Sequence, residues 1–94
     1  MAGIGPYVWD EAKRAANLAV HGVDFAAAMR FDWETAEATP DTRRDYGEAR
    51  FIAVGRIGIR LHVLIYMPRG GLVRTISLRK ANDRETMRYE KGQG

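Results

Sequence analysis

The sequence predicts an α+β domain: two helices at the N-terminal end, an antiparallel sheet meander, and one helix at the C-terminal end. Three observations point to it. The first third holds helix-forming runs behind capping residues, in WDEAKRAANLAVHG and again in DFAAAMR. From residue 50 the period changes to two, in runs separated by glycine-containing turns. The chain then closes on NDRETMRYEKG, which carries a helix-opening signature. Strands that follow one another through tight turns pair as a meander and leave the helices outside the strand order.

Asp10 precedes a helix-forming run and is placed to cap it, so the spacing predicts a helix from Glu11 to His21, with Gly22 as its left-handed stop. Asp24 caps a second, shorter helix from Phe25 to Arg30, with Phe25, Ala28 and Met29 as its apolar stripe. A short strand is expected over Glu34 to Thr39, and Pro40 opens a polar loop. RFIAVGRI at 50–57 reads as the next strand and Gly58 as a tight turn. In 59–67, Ile59, Leu61, Val63 and Ile65 face one way, and Arg60, His62, Leu64 and Tyr66 the other. PRGG at 68–71 is a turn, and LVRTISLR at 72–79 is a strand rich in β-branched residues. Strict alternation there puts Thr75, Ser77 and Arg79 on one face and Arg74 on the other. Asn82 opens the last helix, with Glu85 three residues on. No repeat or linker divides the 94 residues, so 1–94 is read as one domain.

Composition narrows the chemistry. The chain has no cysteine, which excludes a disulfide framework, a thiolate metal site and a cysteine nucleophile. Its two histidines are not at ligand spacing, so neither a metal nor another cofactor is expected. No apolar run approaches the roughly 18 residues of a membrane span, and MAGIGPYVW does not resemble a secretory signal. The expectation is a soluble cytoplasmic protein. Net charge is only +3, but it is divided unevenly. Residues 1–49 hold five Lys and Arg against nine Asp and Glu; residues 50–94 hold ten against three, and eight of those ten are arginine. Arginine suits two-pronged phosphate contacts, so the basic half points to a polyanion, most simply nucleic acid. A solvated basic surface, or one that meets an acidic protein, has the same composition.

Lys13, Asn17 and His21 recur at steps of four, which on a helix places them within a strip of about 80°. His21 falls in the last turn, where the helix dipole favours its protonated form. Proton exchange is one use of such a residue; capping the final carbonyls is another, with Lys13 a solvated charge. In RTISLRKANDRETMRYE, Arg74, Arg79, Glu85 and Tyr89 each have a structural explanation. Beside the charge asymmetry, they also fit a phosphate-binding concavity. His62 reads as a satisfied sheet histidine. Trp33, Tyr46 and Tyr66 can stack bases or pack a core. The paired Gly70 and Gly71 make a turn, since no nucleotide-binding glycine pattern is present.

Taken in order, WDEAKRAANLAVHGVDFAAA, D…GEARFIAVG and RTISLRKANDRETMRYE resemble the BrnT toxins of bacterial type II toxin–antitoxin systems, from about Val8 to Glu90. The family's W-D-x-x-K-x-x-x-N-x-x-x-H-G pattern is met by Trp9, Asp10, Lys13, Asn17, His21 and Gly22. Its arginine before the first meander strand is met by Arg50, and its R-x-I-S-x-R-x-A…E…Y pattern by Arg74, Ser77, Arg79, Ala81, Glu85 and Tyr89. Val20 departs from it, standing where the family commonly has lysine. The resemblance implies a RelE-like fold and a metal-independent endoribonuclease that inhibits translation by cutting RNA. It also implies a DNA-binding, BrnA-like antitoxin that holds the toxin in a hetero-oligomer. On that reading His21 moves the proton, Tyr89 and Glu85 assist, and Arg74 and Arg79 hold the phosphate. Lys13, Arg50 and Asn17 then hold the RNA. The alternative is a non-catalytic RNA-binding or protein-interaction module using the same basic surface.

Overall fold

The structure, a computed structural model, describes residues 2–93. Two short strands, β1 (Ala2–Ile4) and β2 (Tyr7–Trp9), lead into α1 (Glu11–His21) and a 3-10 segment (Phe25–Arg30). Then come β3 (Glu37–Pro40), β4 (Phe51–Ile57), β5 (Arg60–Arg69), β6 (Leu72–Lys80) and α2 (Asp83–Gln93).

Both α-helices start and stop where their capping residues stand. The Asp10 carboxylate accepts from the backbone N–H groups of Ala12 and Lys13, two donors that the first turn leaves without partners. Gly22, at φ 70°, returns its N–H to the Leu18 carbonyl and ends α1. At α2 the capping box closes both ways: the Glu85 N–H donates to Asn82 Oδ1 at 2.8 Å and the Asn82 N–H to Glu85 Oε1 at 2.9 Å.

The expected second N-terminal α-helix is a six-residue 3-10 segment, so a single α-helix precedes the central strands. Six residues, three of them alanine, are too few to offset the cost of an α-helical nucleus. The 3-10 winding also stacks Phe25 directly over Ala28. Both are fully buried, while Met29, expected on the same stripe, is 47% exposed. The strand expected at Glu34–Thr39 lies at Glu37–Pro40. The N-terminal hairpin has no counterpart in the sequence reading, and its β2 runs parallel to β6.

The strands form one sheet in the order β1-β2-β6-β5-β4-β3, antiparallel except at the β2–β6 pairing. The alternation read in 59–67 holds, but both of its faces are covered. Leu64 joins the larger core with Trp9, Phe25, Phe31 and Leu78, while Leu61 and Val63 pack with Ala81 and Tyr89 beneath α2. Gly55 is fixed by this packing, because a Cβ there would meet the Phe31 ring at 2.6 Å. Below, the two surfaces are the core face and the α2 face.

One irregularity decides what reaches the α2 face. In the β5–β6 ladder Ile65 pairs with Ser77 but Tyr66 pairs with Thr75, leaving Ile76 as an extra residue. The bulge reverses the side-chain parity of everything before it. Thr75 therefore turns to the core face with Tyr66 and is 1% exposed. Arg74, paired with Met67, joins Ser77 and Arg79 on the α2 face, which corrects the strict alternation of the sequence reading.

Candidate functional site

Helix α1 lies along β6 because of a single side chain. Only two residues of β6 pair with β2, so Leu78 presents an N–H and a carbonyl that no strand satisfies. Asn17 takes both: its Nδ2 donates to the Leu78 carbonyl at 2.7 Å and its Oδ1 accepts the Leu78 N–H at 3.2 Å. Nδ2 also donates to the Val23 carbonyl at 3.0 Å. One carboxamide thus stands in for a neighbouring strand and anchors the helix. Asn17 is 7% exposed and its polar atoms are bound within the fold.

With Asn17 as the pivot, Lys13 and His21 lie one turn to either side on the same stripe. Lys13, Asn17, Val20, His21 and Ser77 line a hollow of about 280 Å³ between α1 and β6. The Ser77 hydroxyl lies 3.4 Å from Asn17 Oδ1. His21 is exposed, and its ring has no hydrogen-bond partner among the described residues. Val20, 75% exposed, forms an apolar lip beside it.

Arg79 follows Ser77 by two residues on the same face, about 7 Å further along the strand. Its Nη1 and Nη2 donate to the two carboxylate oxygens of Glu85 at 2.8 and 2.7 Å, and Nη1 also reaches the Lys80 carbonyl. These bonds fill the end of the fork and leave Nε–H and the second Nη2 hydrogen, a parallel pair along its other edge. That edge can take two phosphate oxygens at once. The hydrogen bond to Arg79 is the main cause that lowers the Glu85 pKa, so the carboxylate stays ionised and holds the guanidinium plane. Arg43, from the loop between β3 and β4, comes near enough for its charge to oppose that of Arg79.

The remaining candidates are more dispersed. Arg74 shares the face of Ser77 and Arg79 but sits at the start of α1, in a separate hollow with Asp10 and Glu11. It is therefore about 15 Å from His21, the length of the helix. Tyr89 is 3% exposed; its hydroxyl donates to the Thr35 carbonyl at 2.8 Å and its ring faces Arg56. Arg50 stacks on Tyr46, its Cζ 4.1 Å from the ring centroid. Arg43 is not among the residues that the sequence singles out, and Tyr46 stands there only as a ring that can stack bases or pack a core. The RRDY run around them is the one local signal, and it reads equally well as a solvated loop.

Among the described residues, no group of three or more His, Asp or Glu side chains could hold a metal ion. Among the described residues no helix is long and apolar enough to cross a membrane. Arg74 and Arg79 are thus the two cations that the β5–β6 register brings to the α2 face, with Arg43 near Arg79. The family model described as ribonuclease toxin, BrnT, of type II toxin–antitoxin system matches residues 9–85, and the chain belongs to this family. The match takes in Lys13, Asn17, His21, Arg50, Arg74, Arg79 and Glu85 and stops before Tyr89. No individually curated protein matches the chain.

Proposed function

We propose that this chain is a RelE-like, metal-independent endoribonuclease toxin that halts translation by cutting RNA in the cytoplasm. A DNA-binding, BrnA-like antitoxin masks its basic groove in a hetero-oligomer. The observation that carries the reading is the hollow shared by His21, Lys13 and Ser77, with the open edge of Arg79 beside it on the same face.

The chemistry follows from those groups. The neutral His21 imidazole accepts the proton of a ribose 2′-hydroxyl, and that oxygen attacks the adjoining phosphorus. The bond to the 5′-oxygen breaks, and the imidazolium returns the proton to it. The products are a 2′,3′-cyclic phosphate and a 5′-hydroxyl. The phosphorane gathers negative charge, which the Nε–Nη2 edge of Arg79 and the Lys13 ammonium stabilise. Donors preorganised in this way are worth on the order of 10²–10³ in rate each. Glu85 positions Arg79, and Asn17 positions the helix that carries His21. Arg74 and Arg50 hold RNA away from the cleaved bond, and Tyr89 supports α2 from beneath.

A second reading, a module that binds RNA without cutting it, draws on one observation: no described residue orients the His21 ring. The test uses purified chain and end-labelled RNA in the presence of EDTA. The expected result is cleavage to 2′,3′-cyclic phosphate ends, lowered about 10²-fold or more by His21→Ala and by Arg79→Ala. If both variants cut as fast as the parent, the assignment is wrong; if the parent retains RNA intact, the binding module is right. Growth arrest relieved by a co-expressed neighbouring gene product supports the antitoxin.

A further inference from the structure

Of the loop joining β3 to β4 the mechanism uses only Arg50, yet the loop is built rather than slack. Asp41, its side chain fully buried, accepts from Arg43 Nε at 2.8 Å and Nη2 at 2.9 Å, and from the Tyr46 hydroxyl at 3.2 Å. Its own N–H continues the β3–β4 ladder by donating to the Arg50 carbonyl at 2.8 Å. These bonds hold Tyr46 in place. One guanidinium, Arg50, lies over its ring at 4.1 Å, and a second, Arg44, at 5.6 Å.

The loop borders an open hollow of about 420 Å³, lined among others by Arg44, Asp45, Tyr46, Glu48 and Arg50. Three features say what it would hold. The carboxylates of Asp45 and Glu48 disfavour a phosphate group. The Glu48 carboxylate lies 3.6 Å from Arg50 Nη2, beyond hydrogen-bond distance, so it keeps its accepting capacity. Arg44 has neither a hydrogen bond nor an ion pair among the described residues, and Arg50 Nε is a buried donor without a partner. An aromatic plate flanked by one open carboxylate and open guanidinium donors matches a flat ligand with donors on one edge and acceptors on another. Guanine has that pattern: N1–H and the N2 amino group donate, while O6 and N7 accept, the latter being the usual target of an arginine fork. Adenine lacks the paired donors, and the pyrimidines lack the second acceptor edge. Arg43 of this loop lies near enough to Arg79 for the two like charges to oppose each other, so the loop borders the face that carries Arg79.

We propose that the loop of residues 41–50 is a guanine-recognition subsite. Tyr46 is its stacking surface, Glu48 accepts from N1–H and N2, and Arg44 donates to O6 and N7. The inference rests on the reading of the α2 face as an RNA groove and adds the base it selects.

The test is equilibrium binding, followed by fluorescence anisotropy with the full chain, so that it does not depend on cleavage. The probes are short 2′-O-methyl uridine oligomers bearing one internal guanosine, adenosine or cytidine, beside the all-uridine oligomer. The parent is expected to hold the guanosine oligomer at least about tenfold more tightly than the other three. Glu48→Gln brings all four within about twofold of one another, with the other three affinities unchanged. Tyr46→Ala weakens all four oligomers, as loss of a stacking surface requires. Equal affinity of the parent for the four oligomers overturns the subsite, as does a guanosine preference that survives Glu48→Gln. So does a parent that binds none of them. Cleavage of natural RNA without any base preference would leave the nuclease reading standing and remove only this inference.

Discussion

Replacing Asn17 by alanine removes the side chain that joins α1 to the sheet. The variant strips the Leu78 N–H, the Leu78 carbonyl and the Val23 carbonyl of their shared partner. A buried backbone group left unsatisfied costs about 1–3 kcal/mol. The lower value for each of the three groups gives a total of about 3 kcal/mol. For a domain with about 5–15 kcal/mol of stability that is a large fraction. At about 4–8 °C per kcal/mol it lowers Tm by about 12–24 °C. Asn17→Asp is expected to be worse still, because it turns an acceptor toward the two carbonyls that Nδ2 now serves. Urea denaturation of parent, Asn17→Ala and Asn17→Asp, followed by circular dichroism, measures both. A loss below about 1 kcal/mol for the alanine variant, or an aspartate variant as stable as the parent, would refute the strand-surrogate role. RNA affinity per folded molecule, measured well below the variant's Tm, is expected to change far less than stability.

Glu85→Gln is expected to lower kcat for RNA cleavage more than it raises KM, since it releases Arg79, whose open edge stabilises the phosphorane; an unchanged kcat refutes the positioning role. The same substitution bears on acid stability. The Glu85 pKa is lowered in the folded state, so its contribution is complete above the ordinary carboxylate value and is lost as pH falls through the lower folded value. Glu85→Gln should therefore flatten the acid limb of a stability profile. Tyr89→Phe removes the bond to the Thr35 carbonyl and is expected to cost about 1 kcal/mol in chemical denaturation with cleavage retained; loss of cleavage at full stability would return the hydroxyl to the chemistry. His62 is 6% exposed, with Nδ1 2.9 Å from the Arg60 carbonyl, and burial first, then the charges of Arg60, Lys80 and Arg30, lower its pKa. Its neutral form is the folded one, so stability is complete above the ordinary histidine value of about 6.5 and declines as pH falls below it. Denaturation midpoints at about pH 7.5 and about pH 5.5 should differ for the parent and converge for His62→Gln; equal midpoints for the parent refute this.

The features legible in the chain are the local ones. Asp10, Gly22 and the Asn82–Glu85 box act on backbone groups two to four residues away, so their spacing alone fixes both α-helices. Alternation in 59–67 likewise identified β5, and the step of four correctly placed Lys13, Asn17 and His21 on one stripe. What those residues do depends on partners that spacing cannot supply. Asn17 was read as an RNA contact because Leu78, whose backbone it holds, is 61 residues away. Tyr89 was read beside the reacting groups, yet its hydroxyl meets Thr35, 54 residues earlier.

The sequence by itself determined the α+β class, the two capped α-helices, the meander, the basic second half and the order of its motifs. Tertiary structure alone decided the parallel seat of β2 on β6, the bulge at Ile76 that carries Arg74 to the face of Ser77 and Arg79, and the loop that brings Arg43 toward Arg79. The physical reason is range. Caps, turns and periodicity are set by neighbours within a helical turn or a strand pair. A register shift or an edge filled by a side chain is set by whichever distant backbone groups would otherwise be left without a hydrogen bond.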